Sequence, residues 1–418
     1  MKNILNFLIE VSKLKRIPRT GWVWLGVKEP ETIAEHTFRM AIAAWVLAYN
    51  KNLRIGKIIK TALFHDICEV YAGDITPYFG LLPEDEKKRY EVLKRWVRLP
   101  RKEKEKRAKE KFKIEKSSLL KLIKNLDIKP KEEILTSWLD FEKRISREGR
   151  FVKQVDKIET MLQAIEYFGT GEDTPVIGWW EEVEELVEDP DLLKFLKVIE
   201  KKIYRKPRKI EDSKELEGIL DFILKVGKLK GKKRKELIFG WTGDFDTVAN
   251  HTFMLTLSAL IFSKKLDLKL DEKKLLKMAL SHELSEVYSK EKTLFPFWYK
   301  KENENFNKWI RLSKKEKKAR FIKDYKRKKR ALKKLVKCLP KTLRKEIIDL
   351  WENFKTCKSK EGNFLSQVYA IETLLEALQR WKENKKFPIH PLWEWTLEIV
   401  DQPQLLEFCE IMKERFMN

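Results

Sequence analysis

The chain has 418 residues, 43% apolar and 37% charged, with 90 Lys and Arg against 65 Asp and Glu, a net charge of +25. Enough apolar residues are present for sizeable cores, which excludes a disordered chain, and the length allows two or three domains. No apolar run is long enough for a membrane span, and four scattered cysteines, Cys68, Cys338, Cys357 and Cys409, lack the CxxC spacing of a disulfide framework or zinc–cysteine site.

In chain order, MKNILNFLIEVSKLKR breaks with charge too early for a cleavable signal, so a cytoplasmic protein without membrane association is expected. VWLGV near Trp24 reads as a short extended piece. Ile33, Met40, Ile42, Ala43, Val46 and Leu47 then recur at helical spacing, as do Ile58, Ile59, Ala62, Leu63 and Ile67. This second run ends in TALFHDICEVYAGDIT, where His65 and Asp66 adjoin and Glu69 follows one turn on, so that one helix carries half of a metal site. Asp74, beyond a break at Gly73, reaches the same pocket from a loop. Val152, Val155, Ile158, Leu162 and Ile165 form a further helical stripe, interrupted at its margin by Asp156. The expected fold is all-α.

The chain also repeats itself. ILNFLIEVSKLK from Ile4 returns as ILDFILKVGKLK from Ile219, and ETIAEHTFRM from Glu31 as DTVANHTFML from Asp246. TALFHDICEVYAGDIT returns as MALSHELSEVYSKEKT, and FVKQVDKIETMLQAIEY as FLSQVYAIETLLEALQR from Phe364. Two tandem helical bundles are expected, residues 1–200 and 216–418, joined by a basic linker at 201–215. Two charged stretches interrupt the likeness, from Arg101 and from Lys314. The second holds fourteen Lys and Arg against Glu316 and Asp324. Both read as solvated outer helix faces, with nucleic-acid or membrane-surface docking as the alternative.

Four of the five histidines fall in the repeated blocks: His36 and His65, then His251 and His282. Two imidazoles with Asp66 and a carboxylate from a later helix, for which Asp156 is the candidate, make a nitrogen–oxygen sphere suited to a divalent transition metal.

These motifs carry a resemblance. The order AEH, FHD with EVYAGD, and QVDKIE resembles the HD superfamily of metal-dependent phosphohydrolases. KLKRIPRTGW, ETIAEHTFRM, LFHDICEVYAGDITP and FVKQVDKIETMLQAIEY resemble, more narrowly, the HD-domain 5'-deoxynucleotidases of the YfbR-like group. The resemblance implies two tandem HD domains and His36, His65, Asp66 and Asp156 as ligands of one divalent ion, manganese, cobalt, magnesium or zinc. It also implies Glu69 and Asp74 as catalytic carboxylates, Arg19 as the contact to a substrate phosphate, and a nucleoside 5'-monophosphate as substrate. Other HD-type substrates, namely nucleoside triphosphates, phosphodiesters and alarmones, and a non-catalytic nucleic-acid scaffold are the alternatives. In some members a tryptophan directly follows the arginine and shapes the sugar pocket, whereas here Thr20 follows Arg19 and Trp22 comes later, which leaves the choice of sugar open.

In the second copy His251 and His282 remain, but Glu283 replaces Asp66 and Tyr369 replaces Asp156, while Glu286 and Glu291 stand for Glu69 and Asp74. Glutamate's extra methylene displaces the carboxylate, and a phenol is a poor ligand for such ions, so this site is expected to have lost catalysis. Weak metal binding through His251, His282 and Glu283 stays open. Because the resembling enzymes are commonly homodimers, the duplication implies an internal pseudo-dimer, with a homodimer of whole chains as the other arrangement.

Overall fold

The computed structural model describes residues 1–76, 78–94, 99–171, 174–204, 213–234, 246–289, 313–385, 387 and 389–417. Glu291 and the 205–212 part of the expected linker lie outside the described residues. Among the described residues the regular elements are helices, with two isolated antiparallel bridges, Pro18 to Thr32 and Lys233 to Thr247. None is long and apolar enough to cross a membrane.

Thr20–Trp24 is helical rather than extended. One helical turn sends Trp22 inward, where its ring meets Trp179 at 4.9 Å and Tyr167 at 5.3 Å. An extended piece would have needed ladder partners that a single bridge does not supply.

Packing divides the chain into two compact units. The first comprises Phe7–Gly227 with Cys338–Pro340, and the second Met1–Asn6, Lys228–Lys337 and Lys341–Asn418. The unit boundary at Gly227 lies past the segment expected as linker. The reason is the helix Ser213–Gly227, which repeats the Ile4 block yet packs in the first unit against the helices Ile33–Leu47 and Pro190–Ile203. It buries Ile219, Leu220, Phe222, Ile223 and Val226, each worth roughly 1.5–3 kcal/mol against exposure. At its end Gly227 leaves no room for a Cβ, which would fall 2.5 Å from Nη1 of Arg39.

The first unit is built on Ile33–Leu47, a helix whose every residue is buried. Its start is a capping box: the Thr32 hydroxyl accepts from the Glu35 amide at 3.2 Å, and the Glu35 carboxylate accepts from the Thr32 amide at 2.8 Å. The helices Ile55–Phe64 and Arg147–Phe168 pack against it, and Ile128–Lys143 packs on both of these. Arg147–Phe168 begins where Gly149 approaches the Asp140 carbonyl closely; a Cβ there would lie 2.4 Å from that oxygen. In the second unit Val248–Lys265 is buried from Val248 to Ser263, between Glu272–Ser281 and Lys360–Glu383.

Of the charged stretches, Arg101–Ile123 and Lys314–Val336 are helices that bury Leu119, Leu122 and Ile123 and, in turn, Leu332, Leu335 and Val336. Phe321 and Ile322 of the second helix stay exposed.

Candidate metal centre

His36 and His65 come together from neighbouring helices. Ile55–Phe64 ends one residue before His65, and Glu69 opens a separate short helix, Glu69–Ala72, so the single helix expected to carry His, Asp and Glu is two, joined by a turn. That helix ends at Gly73, whose φ of 71° is costly for a residue with a side chain.

Both rings are oriented by their Nδ1 atoms. His65 Nδ1 donates to the Ala62 carbonyl at 2.7 Å, which turns its buried Nε2 to the pocket, 2.9 Å from Oδ2 of Asp66. His36 Nδ1 lies 2.5 Å from the Glu159 carboxylate, and its Nε2 is 3.1 Å from Oδ1 of Asp156. One ligand atom each from His36, His65 and Asp156 lies within 4.8 Å of the other two, all three buried. Two imidazole nitrogens and a carboxylate oxygen converging in a buried pocket, with both Nδ1 atoms already engaged, fit a divalent cation.

The electrostatics agree. Burial, the largest influence on His36, and then Arg19 push its pKa down, yet Glu159 and Asp156 prevail and lift it to about 9. Without a metal, this constellation draws positive charge from a proton. Burial works against the Asp156 carboxylate, but the His36 hydrogen bond and Lys157 hold its pKa well below the usual range.

Asp66 is placed at the edge. Its Oδ2 is 2.9 Å from His65 Nε2 and accepts from Arg19 Nη1 at 2.7 Å. Arg19, positioned by the Pro18 to Thr32 bridge, also has Nε 3.8 Å from Asp74. Asp74 accepts from the Thr20 amide at 2.8 Å and thereby fixes the Arg19 segment. Glu69 is buried with Oε2 unpartnered, and burial, together with the Asp66 and Asp74 charges, raises its pKa well above the carboxylate range. Trp22 is core, its indole donating to Glu31 at 2.9 Å.

Behind His36 stands a buried network missing from the expected set. Glu159 accepts from Arg39 Nε at 2.5 Å, and Arg39 also donates to Glu166 at 2.5 Å and to Gln163 at 3.0 Å. Arg39 and Glu159 each stand three residues after a ligand candidate, on the same helix face. A charged pair at that spacing inside two apolar helices was the available signal. The carboxylate fixes the ring and raises its basicity.

The second unit keeps part of this arrangement. His251 Nδ1 lies 2.5 Å from Glu372, His282 Nδ1 contacts the Ala279 carbonyl at 2.7 Å, and the two Nε2 atoms are 3.2 Å apart. Glu283 has Oε1 4.0 Å from His282 Nε2, and the three side chains still place ligand atoms within 4.8 Å of one another. Tyr369 occupies the place of Asp156, its ring edge-on to His251 at 5.2 Å. Arg234, the counterpart of Arg19, is fully buried and donates to Glu376 at 2.8 Å and to the Tyr369 hydroxyl at 3.3 Å. Burial, the His251 charge and Lys355 hold the His282 pKa well below its ordinary value. A guanidinium directed at the Asp156-equivalent position opposes a metal ion there.

A family model described as "HD domain" matches residues 11–179 and again 226–391. The chain is 32% identical over 166 residues to "5'-deoxynucleotidase HDDC2" of Xenopus laevis, covering 40% of this chain and 70% of that protein. It is 35% identical over 166 residues to the protein of the same name from Bos taurus, at 40% and 68% coverage. To "5'-deoxynucleotidase YGK1" of Saccharomyces cerevisiae it is 34% identical over 163 residues, at 39% and 66% coverage.

Proposed function

The chain belongs to the HD-domain family, and on that footing we propose that its first unit is a 5'-nucleotidase that converts a nucleoside 5'-monophosphate and water into a nucleoside and inorganic phosphate. The observation that carries this reading is the convergence of His36 Nε2, His65 Nε2 and Asp156, with both imidazole Nδ1 atoms already engaged. His36, His65 and Asp156 would hold one divalent ion, with Asp66 as the fourth ligand. When bound, the ion lowers the pKa of water and screens phosphoryl charge.

The remaining chemistry falls to the protein. Glu69, buried beside the ligand candidates, accepts in its carboxylate form the proton that the attacking water loses and passes it to the leaving sugar oxygen as the phosphorus–oxygen bond breaks. Arg19 offers its guanidinium fork to a phosphate while Asp66 and Asp74 hold it in place. Because Asp74 is bonded to the Thr20 amide, its position supports holding this segment more than transferring a proton. The second unit, with Tyr369 for Asp156 and Arg234 turned into the site, is read as catalytically silent.

Metal-free protein reconstituted with manganese, cobalt, magnesium or zinc is assayed for phosphate release over ribo- and deoxyribonucleoside monophosphates. Asp66→Ala is expected to abolish release and Glu283→Ala to preserve it. Absence of release with every metal and substrate, or equal loss in both variants, overturns the assignment.

A further inference from the structure

The helix Arg101–Ile123 does more than present charge to solvent. It packs on the short helix Glu69–Ala72, and Phe112 stacks on Trp138 at 5.4 Å, which sets its rotation. On its inner face Glu115 is buried, and Lys111 Nζ lies 3.3 Å from Glu115 Oε1. The Lys111 side chain is 35% exposed; burial, the largest influence, works against its charge, which Glu115 first and then Glu69, Asp66 and Asp74 support.

The second copy puts the same helix in register: Tyr325 and Trp351 stand where Phe112 and Trp138 do, with rings 5.3 Å apart. In that register Lys111 is matched by Asp324 and Glu115 by Lys328, so the i,i+4 pair is kept with its charges exchanged. The consequence is local. Lys328 is buried, with Nζ 3.0 Å from Oε1 of Glu286, the counterpart of Glu69. One orientation of the pair places an amine near the acidic pocket while Glu69 Oε2 stays unpartnered; the other sets the amine against the equivalent carboxylate.

A nucleoside monophosphate reaches the first site as a dianion and meets Asp66, Glu69, Asp74 and Asp156, while Arg19 is already shared between two of them. One divalent ion on Asp66 and Asp156 would screen part of this charge, but Arg19 is held by its carboxylates, so a further cation strengthens the grip on the phosphate. We propose that Lys111, braced by Glu115, is a phosphate-binding residue of the first site, and that the exchanged pair in the second copy disables the equivalent function. The inference rests on the nucleotidase reading above.

The test is the exchange itself. Lys111→Asp with Glu115→Lys retains an i,i+4 ion pair, so a structural role tolerates it. A binding role predicts a loss of kcat/KM and of affinity for inorganic phosphate of about 10- to 100-fold, at unchanged melting temperature. Lys111→Met is expected to raise KM more than it lowers kcat, and Lys111→Arg to restore most of the loss. Phosphate and nucleoside monophosphate binding, followed by calorimetry, needs no turnover. Wild-type protein that binds without hydrolysis, with binding weakened by Lys111→Met, refutes the nucleotidase reading and supports Lys111. Hydrolysis that survives the exchange undiminished, with unaltered binding, overturns Lys111 alone, and wild-type protein that neither binds nor hydrolyses overturns both.

Discussion

Replacing Glu159 with glutamine removes one negative charge from the most enclosed part of the first unit while keeping its shape. Glu159 is 1% exposed and neutralises Arg39, which is 0% exposed, while orienting His36. Stranding a buried charge costs roughly 3–5 kcal/mol. Arg39 keeps Glu166 and Gln163, and the new amide oxygen still accepts a hydrogen bond, so Glu159→Gln is expected to cost less, about 2–3 kcal/mol. Loss of the carboxylate behind His36 also weakens a metal by about 10- to 100-fold, the usual effect of removing a carboxylate that orients a ligating histidine. Glu166→Gln is the control, because its side chain is 31% exposed and the same logic gives it no more than about 1 kcal/mol. Urea unfolding of the metal-free proteins measures the first quantity, and manganese titration by calorimetry the second. Equal unfolding midpoints for the two variants, with manganese affinity unchanged in both, would refute the role of the Arg39–Glu159–His36 network.

Two further outcomes are open to measurement. Gly149→Ala places a methyl 2.4 Å from the Asp140 carbonyl and must shift the start of the helix that carries Asp156, so a loss of about 1–3 kcal/mol is expected in denaturant unfolding. For Glu148, burial pushes the pKa up, but the Arg54 hydrogen bonds prevail and bring it from 4.5 to about 2. A lowered folded-state pKa contributes stability that is complete above pH 4.5 and is lost as pH falls towards 2. Glu361, held by Lys274 at 2.7 Å, repeats this in the second unit with a pKa of about 2. Replacing Glu148 and Glu361 with glutamine should flatten stability between pH 4.5 and 2 in thermal melts, and a slope there identical to wild type would count against both pairs.

Much of the architecture was legible along the chain because its signals are local. Helical spacing from Ile33, Ile58 and Val152, and the return of each block downstream, require only neighbours in sequence, and they marked an all-α chain built twice. His36 and His65 could be chosen because histidine is rare here and each recurs in its counterpart block, and Asp156 because it interrupts an apolar stripe. What tertiary structure alone decided concerns partners distant in sequence. The turn that separates His65 from Glu69, the sharing of Asp66 with Arg19, the burial of Arg39 against Glu159, and the docking of Ser213–Gly227 in the first unit all depend on which faces meet. The same holds for Arg234: it matches Arg19 in sequence, yet with Tyr369 in place of a carboxylate it turns to the phenol and to Glu376. Periodicity names the face that is buried, whereas the identity of the group opposite, and therefore the charge each site must balance, is set by packing between helices.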